Sequence, residues 1–135
     1  MSVRLPGTLR LKETTREQWL QACEEALDAE LYHWVLVLAE DASPLFFHNL
    51  SSNSPMNREI QTSCYSGNAV LRAQADRFEL GTWKSSMTIC DDGVLVQSAL
   101  PSGCSLHLLA HQNVTPGKLW SQSSWLQSSL VETLG

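Results

Sequence analysis

What this chain lacks narrows its function before any motif is weighed. No apolar run approaches the roughly 20 residues that cross a bilayer. The N-terminus, Met1-Ser2-Val3-Arg4-Leu5-Pro6, has no long apolar core of a secretory leader, so the sequence predicts a cytoplasmic protein without a membrane span. Lysine and arginine number 9 against 14 acidic residues, and they are scattered along a chain of formal charge −5. Without a basic cluster there is no electrostatic footprint for nucleic acid or anionic lipid. The four cysteines, at 23, 64, 90 and 104, include no Cys-x-x-Cys pair, which fits reduced thiols. Phosphate-binding, dinucleotide, zinc-protease and nucleophile-elbow motifs are all missing. So are internal repeats, linkers and low-complexity segments.

What is present is enough chain, 135 residues, to bury one core without staples. The stretch from Gly81 to Asn113 organises it. Trp83 to Asp91 alternates, with Trp83, Met87 and Ile89 on one face and Lys84, Ser86 and Thr88 on the other. Asp92-Gly93 predicts a two-residue type I′ turn, Val94 to Pro101 runs back, Ser102-Gly103 turns again, and Cys104 to His111 makes a third strand. The result is a three-stranded meander.

Upstream, residues 1–14 read as an irregular lead-in, with Thr8 to Lys12 able to add a short strand. Thr14 or Thr15 caps an amphipathic helix that carries Trp19, Leu20, Cys23, Ala26, Leu27 and Leu31 at helical spacing. His33 to Ala39 is apolar on both alternating sets, as in a strand covered on both faces. After the turn at Glu40 to Ser43, Pro44 to His48 returns as a second strand.

Ser54-Pro55 signals the start of a long second helix ending near Leu80, with Gly81 as its C-terminal cap. One stripe of this helix, Ile60, Cys64, Gly67, Leu71, Ala75 and Phe78, faces the sheet. A second stripe of smaller residues, Ser63, Ser66, Val70, Ala73 and Arg77, exceeds what one sheet contact needs. Gly67 costs about 1 kcal/mol of helix propensity relative to alanine, and close approach of another helix is the functional account of it. Thr115-Pro116 opens a last helix with Leu119, Leu126, Leu130 and Leu134 on one side. Five tryptophans are read as core filling, with Trp120 and Trp125 as the partner-facing exceptions.

No catalytic or metal set emerges. His107 and His111 share a strand face about 13 Å apart at 3.3 Å per residue, too far to chelate one ion. Cys90 and Cys104 are separated by a whole strand, roughly 20 Å. Cys23 and Cys64 fall on apolar helix faces, where cysteine is a small hydrophobe. The histidines are read as satisfied or surface groups.

The order helix, two strands, long helix, meander, helix resembles the Roadblock family of dynein-light-chain-like domains. The likeness is carried by Ala29 to Leu45 (helix end and first hairpin), Leu71 to Gly81 (close of the long helix), Asp91 to Val96 (acidic-glycine hairpin) and Leu106 to Leu119 (last strand and helix start). It covers residues 15–134, leaving 1–14 as an N-terminal extension to a domain of residues 15–135. The first hairpin departs from the family by having Asp41-Ala42-Ser43-Pro44 where a glycine is usual.

The resemblance implies an α+β fold, an α/β sandwich with a five-stranded antiparallel sheet, the long middle helix on one face and the two terminal helices on the other. It also implies a homodimer formed by edge-to-edge pairing of the third strands and packing of the middle helices. The small or polar residues Ser63, Ser66, Gly67, Val70, Lys84, Ser86 and Thr88 agree with such an interface. The function implied is a non-enzymatic regulator or scaffold that binds a small Ras-like GTPase or a related signalling or motor assembly, with no cofactor. The rival is a small-ligand sensory module of the PAS, GAF or profilin-like kind, which an apolar pocket with convergent polar groups would favour.

Overall fold

A computed structural model of the chain describes residues 11–51 and 55–134. Its elements are α1 (Glu13–Ala26), β1 (Tyr32–Leu38), β2 (Pro44–Asn49), α2 (Arg58–Arg77), β3 (Ser85–Cys90), β4 (Gly93–Ala99), β5 (Ser105–Ala110) and α3 (Pro116–Leu134), with a short 3-10 turn at Pro101–Gly103. The five strands form one antiparallel sheet in the order β2-β1-β5-β4-β3. β1 sits inside it, which explains a strand whose residues from Trp34 to Leu38 are all buried.

Alternation along the strands builds two cores. Val35, Val37, Val96, Leu106 and Leu108 face α1 and α3, where they meet Trp19, Cys23, Leu119, Leu126 and Leu130. Trp19 packs edge-on against Phe46 with ring centres 5.5 Å apart. The opposite set, Trp34, Leu36 and Leu38, meets Cys64 and Ile60 of α2. The sandwich is therefore asymmetric. Two helices seal one face and a single helix crosses the other.

The local signals differ in several places. α1 starts at Glu13, two residues inside the stretch read as an extension, and its N-cap is Lys12 without a side-chain cap bond. Residues 1–10, with most of the suggested short strand, lie outside the described residues, as does Ser54. α2 begins three residues past Pro55, because Asn57 caps it by accepting a hydrogen bond from the Ile60 N–H at 2.9 Å. Its C-terminus is closed not by Gly81 but by Glu79, which takes the left-handed position (φ 55). The Leu80 N–H then reaches the Ala75 carbonyl at 2.9 Å and the Glu79 N–H the Asp76 carbonyl at 3.1 Å, the paired bonds of a Schellman ending. Phe78, expected in the core, falls beyond the last turn and is exposed.

The β3–β4 turn sits one residue earlier than expected. Cys90 pairs with Gly93, so Asp91-Asp92 is the loop, and the positive-φ residues include neither aspartate nor Gly93. Gly93 is needed for a different reason: a Cβ there would lie 3.0 Å from the Ala110 carbonyl oxygen of β5. The second turn follows the sequence, with Ser102 and Gly103 both at positive φ. Thr115 caps α3 by accepting from the Lys118 N–H at 3.3 Å.

Candidate functional site

Of the groups able to do chemistry, His107 is the most deeply placed. It is fully buried on the α2 face of β5, opposite Gln97 of β4. The Gln97 amide donates to the Cys64 carbonyl of α2 at 3.3 Å and lies 3.1 Å from His107 Nδ1. Because that amide nitrogen is the donor, Nδ1 accepts, and Nε2 carries the proton and donates to Ser105 Oγ at 2.8 Å. A base whose lone pair faces away from the hydroxyl does not activate it. The network is a polar tie between sheet and helix, and burial holds the imidazole neutral, lowering its pKa to about 4.

The three buried cysteines are equally quiet. Burial pushes the thiol of Cys23 up to about 12 and that of Cys64 up to about 11, and it raises Cys104 as well. Cys90 is exposed at the end of β3. Among the described residues no three histidine, cysteine or acidic side chains converge as a metal set.

One pairing escaped the sequence. His33 and His111 are in contact, their ring centres 3.7 Å apart and their planes tilted by 44°. The β1–β5 register shifts between Tyr32 and Trp34, and this irregularity turns His33 toward the end of β5, which simple parity counting does not foresee. The Ser51 hydroxyl donates to the Tyr32 carbonyl at 2.6 Å, so His111 Nε2, 3.0 Å away, donates to Ser51 Oγ. His33 is held below the usual histidine range by burial and by its neighbour His111.

The face with unmet demand is the one that α2 crosses. β3 ends the sheet and pairs on one side only, with β4. Along it Thr88, Ile89 and Cys90 are exposed, and the Ser86 hydroxyl is buried without a partner. Lys84 lies just before the strand, where its carbonyl still accepts from the Ala99 N–H at 2.8 Å. On α2, Ser63, Ser66 and Val70 point away from the sheet into solvent. Gly67 is half-buried, and its missing Cβ points at Gln97, 3.6 Å from the amide nitrogen.

Between α2 and the β3 edge the sheet is left uncovered. A trough of about 320 Å³ opens beside the first turns of α2, floored by Trp34, Leu95 and Leu109 and walled by Glu59, Ile60, Ser63 and Cys64. Elsewhere the fold leaves large apolar side chains in water: Val70 on α2 is 57% exposed, Phe78 67% and Leu80 75% beyond the C-terminus of α2, and Ile89 of β3 62%. An open strand edge beside uncovered apolar surface is a surface suited to association.

Helix, hairpin, long helix, meander and helix around one continuous sheet is the fold seen in Roadblock/LC7 domains. Among solved structures, the gliding protein MglB of Thermus thermophilus superposes with a TM-score of 0.77 at 17% identity, over 95% of this chain and 96% of its own. MglB of Myxococcus xanthus gives 0.80 at 9% identity, covering 94% of each chain. A Roadblock/LC7 domain from Streptomyces avermitilis gives 0.61 at 14% identity, over 92% of this chain and 98% of its own. At these identities the likeness is one of fold. No family model matches the sequence, and no curated protein matches it. Among the described residues no helix is long and apolar enough to cross a membrane.

Proposed function

We propose that this protein is a non-enzymatic regulator or scaffold that acts as a homodimer in the cytoplasm and binds a small Ras-like GTPase or a related signalling assembly. The observation that carries the reading is the unpaired β3 edge, together with apolar side chains such as Val70 of α2 that the fold leaves exposed. Ser63, Ser66, Gly67, Val70, Lys84, Ser86 and Thr88 form the dimer interface: the strand residues pair across a two-fold axis, and the small helix residues let two α2 backbones approach. The interface is isologous, so each group meets its counterpart's surface. The domain comprises α1 to α3, with the residues before α1 an extension to it. The Roadblock/LC7 fold supports the reading, and the buried, unreactive histidine and thiols support a binding rather than a catalytic role.

The test is direct. The purified chain is mixed with small Ras-like GTPases from the same cell, each loaded with GDP or with a non-hydrolysable GTP analogue, and binding is followed by calorimetry. A complex with one of them, stronger in one nucleotide state, is the expected result. Failure of every such GTPase to bind in either state would overturn the assignment of partner.

A further inference from the structure

The two ends of α2 carry surfaces that match each other. Its first turns wall the trough of about 320 Å³ floored by Trp34, Leu95 and Leu109, with Glu59 on the rim. Leu95 and Leu109 also border a hollow whose further walls are Thr88, Cys90, Asp91 and Asp92, so the trough opens toward the end of β3. Beyond the last turn of α2, Leu80 and Phe78 are the most exposed large apolar side chains among the described residues. The backbone holds them there: the Phe78 N–H bonds to the Gln74 carbonyl at 3.0 Å and the Leu80 N–H to the Ala75 carbonyl at 2.9 Å. Arg77 is the basic residue of the last turn, and Glu59 the acidic residue of the first. One chain cannot bring the two ends together, because at 1.5 Å per residue Glu59 and Phe78 lie about 28 Å apart along the helix.

A second copy can, and this step rests on the dimer proposed above. α2 covers one face of the sheet, so a two-fold axis that joins two β3 edges and also two α2 helices stands normal to the sheet and makes both pairs antiparallel. Ser66, Gly67 and Val70, the small residues assigned to the helix contact, lie near the middle of the interval from Glu59 to Phe78. Helices that cross antiparallel at that point place the last turn of each beside the first turn of the other. The start of the partner's β3 then lies alongside the end of β3 in this copy, where the trough opens.

The character of the trough agrees with that neighbour. Its floor is apolar, and carboxylates stand at its margins, Glu59 on the α2 side and Asp91 and Asp92 at the β3–β4 turn. Such a site suits large apolar side chains carried next to a cation, and Phe78 and Leu80 follow Arg77 directly. We infer that the trough is a seat for a second copy of this chain: the partner's Phe78 and Leu80 pack on Trp34, Leu95 and Leu109, the partner's Arg77 meets Glu59, and the exposed Glu79 stays outside. The two-fold axis makes the contact twice, and each seat is incomplete without the other copy.

Glu59→Cys and Phe78→Cys, both at exposed positions, are combined in a Cys90→Ser background and the chain is oxidised with diamide. A disulfide cannot close within one chain across about 28 Å, so a covalent dimer on a non-reducing gel is the expected result, and Glu59→Cys alone should give none. By light scattering, the Phe78→Ser, Leu80→Ser double variant should need at least ten-fold more protein than the parent to dimerise. Arg77→Glu should weaken the dimer several-fold, and Glu59→Arg added to the same chain should restore it. A parent that is dimeric while the cysteine pair fails to cross-link, or a double serine variant that dissociates no more readily than the parent, would overturn the seat and leave the β3 interface standing. A monomeric parent would overturn both.

Discussion

His107 is the residue whose environment has the clearest measurable consequence. Protonating it would place a charge between β5 and α2, where Nδ1 already accepts from Gln97, so the folded state keeps it neutral. Its pKa falls from 6.5 to about 4 because burial desolvates the cation. Between those values the unfolded chain binds a proton that the native chain refuses, so stability falls as the pH falls through that window and is unaffected above it. The full cost by about pH 4 is on the order of 3 kcal/mol. His33 and His48 are shifted in the same direction, chiefly by burial, and add slope below pH 6.5. Urea unfolding at a series of pH values should show a midpoint that is flat above about pH 6.5 and declines below it, and His107→Gln should remove the larger part of the decline. A variant that declines as steeply as the parent would place the acid sensitivity elsewhere. Single residues also mark what the sequence hides. Ala42 occupies a left-handed position at φ 74 in the β1–β2 turn, a conformation that favours glycine. The turn forms all the same, because Asp41 Oδ1 accepts from the Ser43 N–H and the Ala39 N–H reaches the Ser43 carbonyl.

Among the elements, α2 separates what patterning can reveal from what it cannot. Its existence and its crossing of one sheet face are legible in the spacing of Ile60, Cys64, Leu71 and Ala75. Its ends are not, because the N-cap depends on Asn57 reaching Ile60 and the C-cap on Glu79 accepting a conformation that glycine usually takes. Nor can spacing show that Asn68 is buried, since an asparagine within a helix reads as solvated. Gly67 lies on the boundary between the two stripes, with its Cβ direction aimed at Gln97 of the same chain. At 3.6 Å a methyl group fits, so Gly67→Ala should stabilise the protein by up to about 1 kcal/mol through helix propensity. Gly67→Leu must displace Gln97 from Cys64 and His107, and overpacking of this kind costs about 1–3 kcal/mol. Thermal melts of the two variants should therefore move in opposite directions. If both raise the melting temperature, Gln97 is not fixed as described.

For the molecule as a whole, the fold class, the strand sequence and the placing of the three helices are readable from the chain alone, because hydrophobic alternation and turn residues agree along most of it. The histidine pair is not, since it depends on how the ends of distant strands meet. The proposed dimer gives a test at this scale. Val70 is more than half exposed in the single chain, so Val70→Glu should leave its melting behaviour nearly unchanged while placing two carboxylates face to face across the two-fold axis. Light scattering at micromolar concentration should give a dimer mass for the parent and mainly a monomer mass for the variant. A parent that runs as a monomer would remove the interface altogether.

The two borders of the sheet are not alike. β2 begins with Pro44, which has no N–H to offer a neighbouring strand, and its pairing with β1 slips between Val37 and Leu38. β3 carries no proline. In the vocabulary of polymer chemistry the two ends of this unit's sheet differ in reactivity: the β3 end is the readier to be extended and the β2 end is blunted by Pro44. Joining two such units through β3 consumes the reactive end of each, so growth stops at a pair, and an exposed strand that would otherwise seed fibres is limited to a single closed association.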